Sequence, residues 1–114
     1  MFTQIKKRDG RVVDFDATKI TDAIFAAARA VGGEDRETAK RLTYKVLDYL
    51  HEKFGDSLFT VEDVQDAVEK ILIENGHART AKAYILYRDW RTRIREAKSD
   101  LMDAVEEILK ETNR

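Results

Sequence analysis

The sequence predicts an α+β domain, a small hairpin sheet running into a set of helices, on three observations. An Asp9-Gly10 pair stands between two short strand-like runs near the N-terminus. From Asp16 onward, apolar residues recur at three-four spacing in one stretch after another, the period of a helix with one buried face. Gly32-Gly33, Gly55 and Asn75-Gly76 fall where those stretches end, as helix stops do.

The hairpin comes first. Asp and Gly tolerate the positive φ of a two-residue type I′ loop. With Asp9-Gly10 as that loop, Arg8 pairs with Arg11, Lys7 with Val12, Lys6 with Val13 and Ile5 with Asp14. One face then carries Ile5, Lys7 and Val12, which sets an ammonium at the rim of an apolar surface. Taken alone, this basic turn reads as a solubilising surface feature rather than an anion site, because no phosphate motif is complete here.

The helices follow in order. Asp16 or Thr18 caps a first helix with Ile20, Ala23, Ile24, Ala27 and Ala30 on its inner face, ended by Gly32-Gly33. The second spans about Asp35 to Phe54, with Ala39, Leu42, Val46, Leu47, Leu50 and Phe54 inward and Gly55 closing it. Leu58-Phe59 is read as a short third strand on the hairpin's edge. Thr60 with Asp63 forms a capping box for a third helix, whose stripe is Val64, Ala67, Val68, Ile71 and Leu72. Glu62-Asp63 at its start is explained by capping and the helix dipole, without acid–base chemistry. A fourth helix begins near Ala78 and mixes Tyr84, Tyr87, Arg88, Trp90, Arg91 and Ile94. An amphipathic segment with Leu101, Met102, Val105, Ile108 and Leu109 either continues it or restarts at a Ser99-Asp100 cap.

Composition excludes several classes. The 114 residues suit one core, and 21 basic against 22 acidic side chains give a net charge of -1. No global field draws the chain to nucleic acid or to an anionic membrane, so any anion must be held by a local cluster. Without cysteine there is no disulfide, thiolate nucleophile or thiolate metal site. No apolar run nears the roughly 18 residues of a spanning helix, and a cytoplasmic domain is expected. A GxxxxGK[ST] phosphate loop is missing, and His51 and His77 have no partners at metal-ligand spacing. We find no catalytic constellation, so the chain reads as a non-enzyme. Lys7, Arg8, Lys19, Arg88 and Arg91 remain as cations that would have to converge to hold a polyphosphate.

Four blocks in order carry a resemblance: Lys7-Arg8-Asp9-Gly10-Arg11; Phe15-Asp16 with Lys19-Ile20; Val61-Glu62-Asp63-Val64-Gln65-Asp66 with Val68-Glu69; and Ala81-Lys82-Ala83-Tyr84-Ile85-Leu86-Tyr87-Arg88. Over about residues 3 to 95 the chain resembles the ATP-cone, the module at the N-terminus of many ribonucleotide reductases. The resemblance implies a short antiparallel sheet capping a four-helix bundle, with a cone over 1–98 and a helical extension over 99–114 toward a catalytic domain. It implies ATP or dATP as effector, with Mg²⁺ accompanying the triphosphate, control of overall reductase activity, and a homo-oligomer whose state depends on the nucleotide. Carried over by position, Lys7, Arg8 and the turn backbone at Asp9-Gly10 lie beside the nucleotide, with Lys19-Ile20 near the phosphates. Val61 and Gln65 contact adenine, and Tyr84, Tyr87, Arg88 and Arg91 close the pocket or hold phosphates. The segment from Leu101 resembles the joint to the barrel of an anaerobic or a cobalamin-dependent reductase, and the anaerobic type is preferred. An ATP-cone also occurs in the transcriptional repressor of reductase genes, but behind a zinc ribbon whose four cysteines this chain does not have.

Overall fold

In the computed structural model, which describes residues 4–112 and the side chains of 4–110, β1 (Gln4–Lys6) and β2 (Val12–Asp14) form an antiparallel hairpin. Residues 1–3 and 113–114, included in the expected division at 98/99, lie outside the described residues. The register is Gln4 to Asp14, Ile5 to Val13 and Lys6 to Val12, one residue away from the predicted pairing. The loop explains the shift. Among the described residues only glycines have positive φ, so Asp9 does not enter the conformation a type I′ turn needs. Its carboxylate instead accepts the Arg11 N–H at 3.0 Å, and Gly10, at φ 88°, donates to the Lys7 carbonyl at 3.0 Å. Lys7 N–H closes the ladder on the Arg11 carbonyl at 2.8 Å, leaving Arg8-Asp9-Gly10 as a three-residue turn. A one-residue slip exchanges faces. Ile5 and Val13 therefore point inward together, Val12 is 47% exposed, and the predicted face of Ile5, Lys7 and Val12 does not form.

The expected third strand shrinks to one contact on β1's free edge. Lys6 N–H donates to the Phe59 carbonyl at 3.0 Å and Lys6 bridges Thr60 in parallel, so the sheet has two strands. Phe59 is only 1% exposed because its ring is the hub beneath that edge. Phe15 meets it edge-on at 5.4 Å between centroids and Phe54 lies at 5.9 Å.

Four helices follow: α1 (Thr18–Ala30), α2 (Arg36–Phe54), α3 (Val61–Glu74) and α4 (Ala78–Thr112). Asp16 starts α1 by accepting both the N–H and the hydroxyl of Thr18, at 3.0 and 2.6 Å. Asp35 caps α2 through the N–H groups of Glu37 and Thr38. The Thr60–Asp63 capping box of α3 has both reciprocal bonds, 3.1 and 2.9 Å. Antiparallel α1 and α2 also share a buried polar contact, with the hydroxyls of Thr21 and Thr43 at 2.8 Å. Thr43 spends its single hydrogen on the Ala39 carbonyl, so Thr21 is the donor.

The chain divides into two compact units, residues 1–84 and 85–114. In the first, Ile20 and Ile24 of α1, Leu42, Val46 and Leu50 of α2, and Val68 and Leu72 of α3 form the core. Ala81 and Tyr84 join it, so α4 contributes to this core with its first two turns. The second unit is the rest of α4, which runs without interruption through Ser99-Asp100. Neither proline nor glycine occurs between Ala78 and Thr112, so a cap-forming pair in mid-run has nothing to terminate.

Because Phe59 joins the rings of Phe15 and Phe54 to the sheet edge, Phe59→Ala should destabilise the first unit by about 3–5 kcal/mol. Urea denaturation followed by circular dichroism measures this, and a loss below about 1 kcal/mol would remove Phe59 from its central role.

Candidate functional site

The β1 edge contact brings the hairpin turn against the N-terminus of α3. Arg8 Nε stands 2.7 Å from Glu62 Oε1, with side chains 40% and 47% exposed. A pair this wet contributes about 0–1 kcal/mol. The junction is held instead by the Lys6–Phe59 backbone bond and the buried Ile5 and Phe59 side chains. Within the Glu62-Asp63 pair the roles separate. Asp63 caps α3, while Glu62 reaches across to the hairpin, a partner that helix-end electrostatics alone did not reveal. Val61 and Gln65 are half-buried one turn apart on the same side of α3, beginning where the Arg8–Glu62 pair stands.

The other candidates are distributed as follows. Lys7 is exposed beside the turn, and Asp9 is held to Arg11 by bonds at 3.0 and 2.6 Å. Lys19 is exposed in the first turn of α1, whereas Ile20 is 6% exposed and belongs to the core. Tyr84 is likewise a buried residue of the first unit. Tyr87, Arg88 and Arg91 lie in the second unit, where the Arg91 guanidinium sits 6.0 Å above the Tyr87 ring and Tyr87 lies 6.0 Å from Trp90. The predicted set thus divides: the turn meets the α3 start directly, Lys19 and Tyr84 share their unit, and three side chains belong to the other.

The electrostatics around these positions favour ionised carboxylates. The backbone N–H of Arg11, then its guanidinium and the Lys7 charge, hold Asp9 below the ordinary 3.8. The Thr18 hydroxyl and N–H, with Lys19 nearby, do the same for Asp16. At the other end of α1 a cleft of about 350 Å³ is lined by residues including Ala28, Gly33, Asp35, Thr38, His77 and Thr80. It shares no residue with the predicted nucleotide set. Among the described residues, no group of three or more His, Cys, Asp or Glu side chains could hold a metal ion. No described helix is long and apolar enough to cross a membrane.

With this geometry in view, the family comparison is specific. The model of the ATP cone domain matches residues 3–93. The chain is 40% identical over 113 residues to a vitamin B12-dependent ribonucleoside-diphosphate reductase of Thermoplasma acidophilum, covering 95% of this chain and 14% of that protein. It is 30% identical over 113 residues to the anaerobic ribonucleoside-triphosphate reductase of Salmonella typhimurium, covering 99% of this chain and 15% of the relative. A ribonucleoside-diphosphate reductase subunit alpha of Chlamydia muridarum is 37% identical over 99 residues, 79% of this chain and 10% of that protein. The chain belongs to the ATP-cone family. It spans about one seventh of the length of the first of these relatives. These relatives are reductases of more than one type, so similarity does not single out the anaerobic one.

Asp16 should titrate below 3.8 in the folded protein, its Thr18 hydroxyl bond being the largest cause. A folded carboxylate of lowered pKa binds fewer protons than its unfolded counterpart just below 3.8. Its contribution to stability is therefore complete above that value and lost as pH falls through the folded pKa. Carboxyl NMR titration should give a lowered midpoint that moves up in Thr18→Ala; a wild-type midpoint at or above 3.8 would contradict this geometry.

Proposed function

We propose that this chain is the allosteric control domain of a ribonucleotide reductase, binding ATP or dATP and setting overall activity. The observation that carries this reading is the docking of the Lys7-Arg8-Asp9-Gly10 turn beside the start of α3, made by the Lys6–Phe59 backbone bond and bringing Arg8 to Glu62, within a chain of the ATP-cone family. That junction gathers the two chemistries an adenine nucleotide requires. Lys7 and Arg8 supply cations near the turn, and Lys19 stands exposed in the first turn of α1. Val61 offers an apolar edge to the base and Gln65 an amide with both donors and an acceptor. Such an amide matches the adjacent donor and acceptor of adenine and mismatches guanine.

Glu62 has a definite part in this reading. It binds Arg8 through Nε, so a triphosphate that takes the remaining guanidinium N–H groups does so beside a competing carboxylate. Tyr84 supports the pocket from the core. The triphosphate brings its Mg²⁺. Residues 1–98 act as the cone and 99–114 lead toward the catalytic part of a cytoplasmic reductase, whose association state follows the bound nucleotide. Catalysis belongs to that part, where radical chemistry needs cysteines that this chain does not contain.

Calorimetry with ATP, dATP and GTP tests the assignment. ATP and dATP should both bind and GTP much more weakly, because a mismatched base edge leaves buried polar groups unpaired. Lys7→Ala and Lys19→Ala should each weaken ATP roughly tenfold or more, as loss of a charge-assisted hydrogen bond does. Glu62→Gln should strengthen binding, by no more than roughly fivefold, since the pair it breaks is exposed. Absence of ATP and dATP binding at millimolar ligand would overturn the function. Unchanged affinity in both lysine variants would put the phosphates elsewhere.

A further inference from the structure

The second unit carries a pattern that nucleotide binding does not use. Tyr87, Ile94, Leu101 and Ile108 are spaced by seven residues along α4, with Trp90 and Val105 beside them. At 3.6 residues per turn these six side chains fall within about 60° of arc. All are substantially exposed, from 40% for Ile94 to 63% for Leu101 and Ile108. A sustained heptad of this kind is the seam of a coiled coil, and the intervening seam positions are the small residues Ala97 and Ala104.

We propose that this stripe is a self-association surface through which two copies of the chain pair antiparallel along residues 90–108. Charge selects both the occupant and the direction. Residues 85–98 contain five cations and two anions, whereas 99–110 contain four anions and one cation. Parallel pairing sets the basic half on the basic half and the acidic on the acidic. Antiparallel pairing sets each half against its opposite, with Arg93 facing the partner's Glu107 on both sides of the two-fold axis. Size complementarity agrees. In the antiparallel register Leu101 meets the partner's Ala97, Ile94 the partner's Ala104, and Ile108 the partner's Trp90, so a large side chain always faces a different one. Parallel pairing would stack alanine on alanine and leave gaps. The overlap, 19 residues or about 28 Å of helix, is a little under three heptads long. The seam does not depend on bound nucleotide; it defines the nucleotide-free state on which any effector acts.

Sedimentation velocity of the 114-residue chain without nucleotide tests the proposal. A dimer that weakens as salt rises is expected, and a monomer up to about 100 times the dissociation constant of a typical micromolar complex overturns it. Leu101→Lys combined with Ile108→Lys should weaken dimerisation roughly tenfold or more while leaving the helical circular dichroism unchanged. A dimer of undiminished affinity places the interface elsewhere and overturns the seam. Direction is read by disulfide trapping, which the cysteine-free sequence makes clean. Ile94→Cys mixed with Ala104→Cys should trap a heterodimer, whereas Ala104→Cys trapped with itself overturns the antiparallel arrangement. Leu101 and Ile108 lie outside the residues assigned to the nucleotide. A monomer that still binds ATP therefore sinks this inference alone, and a dimer that binds no ATP sinks the functional reading alone.

Discussion

Three requirements meet at Phe59-Thr60. The Phe59 ring fills the centre of the aromatic cluster, its carbonyl satisfies the free edge of β1, and the next residue begins the capping box of α3. A two-stranded hairpin is marginal by itself in water. This one is held because its inner face, Ile5 and Val13, rests on the core while its edge N–H is taken by a residue anchored from below. The approach of turn to helix follows from that anchoring, and the Arg8–Glu62 pair decorates the junction rather than creating it.

The helices were legible because their information is local. Periodicity, the Asp35 cap, the Thr60–Asp63 box and the glycine stops each act within a few residues, so α2 and α3 lie where these signals put them. The hairpin register was not, although its turn residues were recognised. Asp9-Gly10 suits both a two-residue and a three-residue loop, and the choice fell to the Asp9 carboxylate binding the Arg11 N–H and to the need to bury Val13 rather than Val12. The third strand failed for a similar reason: Phe59 serves the core with its side chain, and α3 starts two residues later, leaving room for a single bridge.

Site residues were legible as chemistry but not as partnerships. Lys7, Arg8 and Lys19 stand out as cations near a turn and a helix start, while the carboxylate opposing Arg8 comes from more than fifty residues away. Only the fold makes that pairing, by closing β1 onto the segment before α3. Ile20 shows the converse. Its motif position suggested a ligand contact, yet the three-four stripe of α1 claims its side chain for the core. A single residue cannot satisfy both demands with one side chain, so a role for Ile20 at the nucleotide must be exercised through its backbone or through packing beneath the site.

On the proposed reading, the difference between ATP and dATP is one hydroxyl, worth roughly 0.5–1.5 kcal/mol as a hydrogen bond. Such a difference shifts an equilibrium by about tenfold at most for one site. A switch driven by it must therefore either be poised near balance or combine several sites. Pairing two chains through α4 provides the second route: two sites biasing one shared equilibrium multiply their factors, so about tenfold per site becomes about a hundredfold per dimer. The seam and the nucleotide site would then have different duties, one fixing how many sites act together and the other supplying the bias. The dimer would not itself need to form or dissolve with the nucleotide. What has to differ between the two states is only how the paired chains meet the rest of the reductase.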